Sequence, residues 1–70
     1  MLRIFSVDSL DGEHIDLVVA ENSHFGNYGE NISIVDIDEC FDDEEIRDII
    51  LNDLDESEET KKELLRNYGL

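Results

Sequence analysis

The chain has 70 residues, 20 of them Asp or Glu and five Lys or Arg, which gives a formal net charge of −15. So few cations exclude direct binding to a nucleic-acid backbone or an anionic membrane, because both need Lys or Arg to neutralise phosphates and release counterions. A single cysteine excludes an internal disulfide framework and fits a cytoplasmic protein, the length is that of one domain, residues 1–70, and the longest apolar run, Leu17 to Ala20, falls far short of the ~20 residues of a membrane span.

Met1 to Asp8 reads as a strand rather than a signal peptide, since Ile, Phe, Leu and Val dominate and no basic stretch, apolar core or cleavage site is present. Asp11-Gly12 is a hairpin signal, and a type I′ turn, with positive φ at both central residues, is expected there. Ile15, Leu17 and Val19 then alternate with His14, Asp16 and Val18, so the second strand should have one apolar and one partly polar face. Residues 21–31, rich in Gly and Asn, fit no period and read as a loop. A third strand is expected from about Asn31 to Ile37, with Ile32, Ile34, Val35 and Ile37 as its apolar positions.

The second half reads as two helices. Asp42 is placed to cap the first, with Glu45 three residues on. Ile46, Ile49, Ile50 and Leu54 fall on one face, Leu51 flanks that stripe, and Glu44, Glu45, Asp48 and Asn52 fall opposite. Ser57 caps a second helix whose first turn carries Glu58 and Glu59, where the helix dipole favours anions. Lys61, Lys62 and Arg66 are interleaved with acids and are expected to pair along the helix. Leu64, Leu65 and Tyr68 form an apolar patch, and Gly69 suits the residue just past the helix end.

The fold class is therefore α+β: a small three-stranded antiparallel sheet followed by two helices, β-β-β-α-α, with the helices packed on one sheet face. Residues 1–37 are β-rich and residues 42–69 form a helical hairpin. The other sheet face, holding Phe5, Val7, Val18 and Val35 or their opposites, is too apolar to stay wet. A helix or a second copy of the chain is expected to cover it, which makes a homodimer one expected arrangement.

The acids are unevenly spread. Residues 1–35 carry six acids and one cation, a net of −5, whereas residues 36–70 carry fourteen acids and four cations, a net of −10. This exceeds the roughly 2–8 charges that solubility asks of a small domain, and self-repulsion destabilises a compact chain with little stability to spare. On one helix face, carboxylates three or four residues apart recur every ~5–6 Å, comparable with the ~3.4 Å spacing of phosphates along one strand of duplex DNA. The acids Asp42, Asp43, Glu44, Glu45, Asp48, Asp53, Asp55 and Glu56 are the candidate contact set for a basic partner. Phe25 and Tyr28, aromatic residues in an adaptable loop, are candidate apolar anchors or else a lid folded onto the core.

In composition and size, though in no motif, the chain resembles the small, strongly acidic proteins of phages and mobile elements that mimic nucleic acid. The resemblance implies an inhibitor or regulator docking in the basic groove of a nuclease, polymerase, repressor or restriction enzyme. The alternatives are an assembly module whose acidity serves solubility, and an antagonist of a basic toxin.

Other chemistries find less support. Neither Asp36 nor Asp53 opens a calcium loop, because both windows lack the required glycine and the terminal bidentate Glu. Cys40, His14 and His24 have no short metal-ligand spacing, and Cys40, flanked by Glu39 and Phe41, reads as a small buried apolar residue. No carboxylate pair stands out for acid–base work, and Gly26 and Gly29 form neither a P-loop nor a dinucleotide fingerprint. The expectation is a non-enzymatic protein without metal or cofactor.

Overall fold

In the computed structural model, which describes residues 1–26 and 28–70, the chain is a three-stranded antiparallel sheet followed by two helices. Asn27, in the middle of the expected loop, lies outside the described residues. The strands are β1 (Arg3–Ser9), β2 (His14–Ala20) and β3 (Ile32–Asp36), in the order β2-β1-β3. A 3₁₀ turn, Ile37–Glu39, leads to α1 (Asp43–Asp48), which widens into a π-helical turn over Ile49–Asp53, and α2 (Glu58–Asn67) closes the chain.

The β1–β2 hairpin departs from the expected type I′ turn. Gly12 N–H donates to the Ser9 carbonyl at 3.0 Å and Ser9 N–H to the Glu13 carbonyl at 2.8 Å. Gly12 alone in the turn has positive φ, at 101°. This is a three-residue loop in which a turn over Leu10 and Asp11 is followed by a left-handed glycine, a geometry that also suits the right-handed twist of the strands.

The hairpin also contains a β-bulge. Val7 faces Asp16 but Asp8 faces His14, so Ile15 is the extra residue. A bulge shifts the two-residue period by one. Leu17 and Val19 therefore pack on the core while Ile15, expected beside them, is 46% exposed.

Residues opposite one another in an antiparallel pair point to the same sheet face. Ile4 faces Val19, and Ser6 faces both Leu17 and Val35. This is the face the helices cover: Ile4, Ile37, Ile46, Ile49, Ile50, Leu54 and Leu64 form one buried cluster, with Leu2, Leu17, Val19 and Phe41 against it. The expected stripe Ile46, Ile49, Ile50 and Leu54 is buried throughout. The π turn helps, because Leu54 N–H reaches back five residues to the Ile49 carbonyl at 3.1 Å and both side chains stay inside.

The caps are those the sequence suggests. The Asp42 carboxylate accepts from Glu45 N–H at 2.9 Å and the Ser57 hydroxyl from Thr60 N–H at 3.2 Å. Gly69, with φ of 75°, ends α2 by donating to the Arg66 carbonyl at 3.0 Å, while Leu70 N–H donates to Leu65 at 2.8 Å.

On the second sheet face the chain's own β2–β3 loop supplies cover. Phe5 and Val7 are buried within the chain, and the ring of Phe25, from the β2–β3 loop, rests 5.6 Å from that of Phe5. Ile34, opposite Val7, takes the place expected for Val35, which lies on the helix side. Cys40 is exposed rather than buried. The 3₁₀ turn directs Ile37 inward, and Phe41, whose N–H donates to the Ile37 carbonyl at 2.9 Å, becomes the second apolar contact and leaves Cys40 outside.

One network ties both ends of the chain together. Arg3 donates from Nε to Asp36 at 2.7 Å, from Nη2 to Asp38 at 2.8 Å and from Nη1 to the Asn67 carbonyl at 3.1 Å, with its guanidinium 4.0 Å above the Tyr68 ring. The Tyr68 hydroxyl accepts from Ile4 N–H and donates to Asp36, both at 2.7 Å, and lies 3.2 Å from the Ile4 carbonyl. Ile4 sits one residue beyond the Phe5–Asp36 pair where β3 stops, so a side chain satisfies backbone groups that β3 does not reach.

Candidate acidic docking surface

All eight acids of the expected contact set are exposed. The structure divides them. Asp42, Glu44, Glu45 and Asp48 line one shallow groove on the outer side of α1, together with Arg47 and Leu51. Asp55 and Glu56, in the link from the π turn to α2, line a second groove beside β2 with Asp16, Leu54 and Tyr28. Asp43 and Asp53 line neither groove.

The α1 groove follows from helix geometry. With the isoleucines turned inward, positions 44, 47, 48 and 51 share the outward stripe, spaced three and four apart. Glu44, Arg47, Asp48 and Leu51 occupy it. Leu51 is 48% exposed, an apolar spot within an acidic rim. Leu51, expected at the margin of the buried stripe, stays outside because Ile46, Ile49, Ile50 and Leu54 complete the inward stripe without it.

Among the described residues, none of these eight carboxylates lies within 4.0 Å of a cationic nitrogen. Lys61, Lys62 and Arg66 do not form the expected pairs along α2, and Arg47 is also unpaired at that distance. Exposed pairs gain little in high dielectric and cost side-chain entropy, so the absence of fixed partners is unsurprising. The basic side chains actually fixed by acids are Arg3, which holds Asp36 and Asp38, and His14, which meets Asp8.

The Arg3 network perturbs its own groups. Burial tends to raise the Asp36 carboxyl, but hydrogen bonds from Arg3, Tyr68 and the Asp38 N–H outweigh it and hold it below its ordinary range. Burial pushes the Tyr68 phenol well above its ordinary value, an effect partly offset by the Ile4 bond and reinforced by Asp36. For Arg3 burial works against the charge, yet Asp36 outweighs it and raises the guanidinium further. On the hairpin, the Ser9 hydroxyl and the Glu13 N–H hold Asp11 below the usual carboxylate range. The sequence signal for the Arg3 network was there: Arg3 is the lone cation among six acids in residues 1–35.

The remaining polar cluster is Ser6, Asp8 and His14. Asp8 is 2.9 Å and the Ser6 hydroxyl 3.4 Å from the same imidazole nitrogen, Nδ1, and Ser6 donates to Asp8 at 3.0 Å. An acyl-transfer relay needs the hydroxyl on one ring nitrogen and the carboxylate on the other. Here both partners share Nδ1, and Ser6 is 5% exposed, under the helices. The arrangement pins the bulged end of the hairpin. Among the described residues, no group of three or more His, Cys, Asp or Glu side chains is disposed to hold a metal ion. No helix among them is long and apolar enough to cross a membrane.

Phe25 and Tyr28 stack edge to face, ring centres 6.3 Å apart. Phe25 is half-buried and serves as the lid on Phe5, whereas Tyr28 is 37% exposed and stands beside the β2 groove. Of this aromatic pair, Phe25 thus folds onto the core as the lid, and Tyr28 remains a surface ring.

In comparison with known proteins, no family model matches the chain, and no curated protein or solved structure shows significant similarity to it.

Proposed function

We propose that this chain is a non-enzymatic module that docks through its acidic surface on a basic surface of a partner protein. On this reading the partner is a nucleic-acid-binding protein, and docking inhibits or regulates it by competing with nucleic acid. The observation that carries the proposal is the α1 groove, where Asp42, Glu44, Glu45 and Asp48 stand exposed around Leu51 without fixed counter-charges among the described residues. Steered by the summed charge, association would be fast and salt-sensitive, while Leu51 would supply apolar contact that prolongs the complex. The groups with structural duties, Asp36 and Asp38, lie on the Arg3 network, away from that groove. The α1 acids are thus spared for a partner, apart from the Asp42 cap and a 2.6 Å bond from Asn52 to Asp48.

The test is competition. Basic proteins retained by the immobilised chain at low salt are identified, and duplex DNA is titrated against the complex across a salt series. The combined variant Asp42→Asn, Glu44→Gln, Glu45→Gln and Asp48→Asn keeps a capping side chain at position 42. It should bind far more weakly and with a shallower salt dependence. Undiminished affinity of this variant, or failure of DNA to compete, refutes the proposal. The homodimer alternative has less to work with, since Phe5 and Val7 are already buried within one chain.

A further inference from the structure

β2 is an outer strand of the sheet, and the hydrogen-bond phase of the ladder identifies its outward-facing groups. Ile4 directs its N–H and its carbonyl toward the Tyr68 hydroxyl, on the β3 side of β1. Ile4 is therefore not bonded to Val19, its opposite number on β2. In an antiparallel ladder the residue in such a pair turns its own N–H and carbonyl to the far side. Val19 thus presents both groups outward, and by alternation so does Leu17, whose N–H meets the Asp16 carboxylate at 2.8 Å. The hairpin end keeps the same phase: Ser9 N–H goes to Glu13 on the β2 side and Leu10 N–H to Asn31 on the β3 side.

Natural edges are usually blunted by proline, lysine, a covering helix or a bulge along their length. β2 has neither proline nor lysine, and its one bulge, at Ile15, is confined to the hairpin end. Beside the strand runs the groove in which Leu54, Asp55 and Glu56 flank the helix-side residues Leu17 and Val19, while Tyr28 lies at the same edge. Val18 and Asp16, opposite Phe5 and Val7, belong to the other sheet face.

We propose that the outer edge of β2 takes an extended basic segment of the partner protein as a fourth strand. The inference rests on the reading above that the partner is basic. Charge selects the occupant: a second copy of this chain would bring its own −15 against the same edge, whereas a cationic strand meets Asp55 and Glu56 with opposite sign. Main-chain bonds to the Val19 N–H and carbonyl and to the Leu17 carbonyl supply affinity, and alternate side chains supply specificity. Lys or Arg at every second position faces Asp55 and Glu56, and apolar residues between them face Val18 and Tyr28.

The experiment uses the full chain, ¹⁵N-labelled, and the synthetic peptide Lys-Val-Lys-Val-Lys-Val-Lys. Binding should shift the amides of Leu17 to Ala20 and slow hydrogen exchange at Val19. A peptide N-methylated at every residue, unable to donate along either edge, should bind at least about five- to tenfold more weakly, the equivalent of one main-chain hydrogen bond. Val19→Pro removes an outward N–H without breaking a bond to β1 and should weaken the parent peptide by a similar factor. Equal binding of parent and N-methylated peptides by the unmodified chain overturns the inference, and that comparison needs no variant to fold. Shifts confined to Glu44, Glu45 and Asp48 also overturn it, while leaving docking through α1 intact. Absence of peptide binding overturns strand addition too. The nucleic-acid competition with the α1 variant does not involve β2 and judges the docking reading separately.

Discussion

Replacing Tyr68 with Phe removes one oxygen and leaves the ring that packs on the core and under Arg3. That oxygen accepts the Ile4 N–H and donates to Asp36, both at 2.7 Å. A neutral hydrogen bond contributes about 0.5–1.5 kcal/mol net, and one to a charged group about 1.5–3. The Ile4 bond is part-buried and Asp36 keeps its bond from Arg3, so lower values apply and the loss should be about 2–3 kcal/mol. For a domain of this length total stability is only on the order of 4–10 kcal/mol, and the loss should lower Tm by roughly 10–20 °C. Thermal and urea unfolding followed by far-UV circular dichroism measure it directly. A second readout is alkaline titration in a Tyr28→Phe background, where Tyr68 is the remaining phenol. Its raised pKa means that stability is fully present below the ordinary tyrosine range, ~10, and is lost as pH rises above it, so phenolate absorbance should appear together with unfolding. A loss under ~0.5 kcal/mol, or phenolate appearing at ordinary pH in a folded chain, would refute the view that Tyr68 substitutes for a missing stretch of β3.

Three further outcomes follow from the same structure. Because Asp36 is held below its ordinary range, its contribution is present above the unfolded carboxyl value, ~3.9, and disappears as pH falls through the folded one. Acid unfolding of Asp36→Asn should lack that part of the decline, and an acid limb identical to the parent's would count against the network. With a net charge of −15, adding salt should raise Tm by screening self-repulsion, and a Tm that falls or stays constant up to ~0.5 M NaCl would contradict this. Ile50→Ala should cost ~2–5 kcal/mol, whereas Ile15→Ala, at the exposed bulge, should cost under ~0.5 kcal/mol; equal costs in urea unfolding would show that the bulge is misplaced.

The division of the acids has a consequence for the proposed function. A partner reading α1 alone meets a short helical patch, while one that also engages Asp55 and Glu56 must reach the β2 edge. Variants in the two grooves should therefore act independently on affinity if each is a separate contact, and non-additively if one segment spans both.

By itself the amino-acid sequence determined the element order, the caps and the buried helix stripe. These rest on local rules: Asp42 and Ser57 reach N–H groups three residues away, Gly69 adopts positive φ at little cost, and Ile46, Ile49, Ile50 and Leu54 recur at helical spacing. The candidate acids were legible as exposed for the same reason, since a helix that turns its isoleucines inward must turn those carboxylates out. What the tertiary structure decided depends on pairing across long stretches of chain. The bulge that exposes Ile15 is set by register against β1, which no pattern within β2 encodes. Tyr68 completes the ladder because β3 ends one residue short of Ile4, 64 positions away along the chain. Phe25 covers Phe5, and Asp55 and Glu56 leave the α1 acids for the β2 edge, because a loop and a link with no period of their own are placed only by what they pack against.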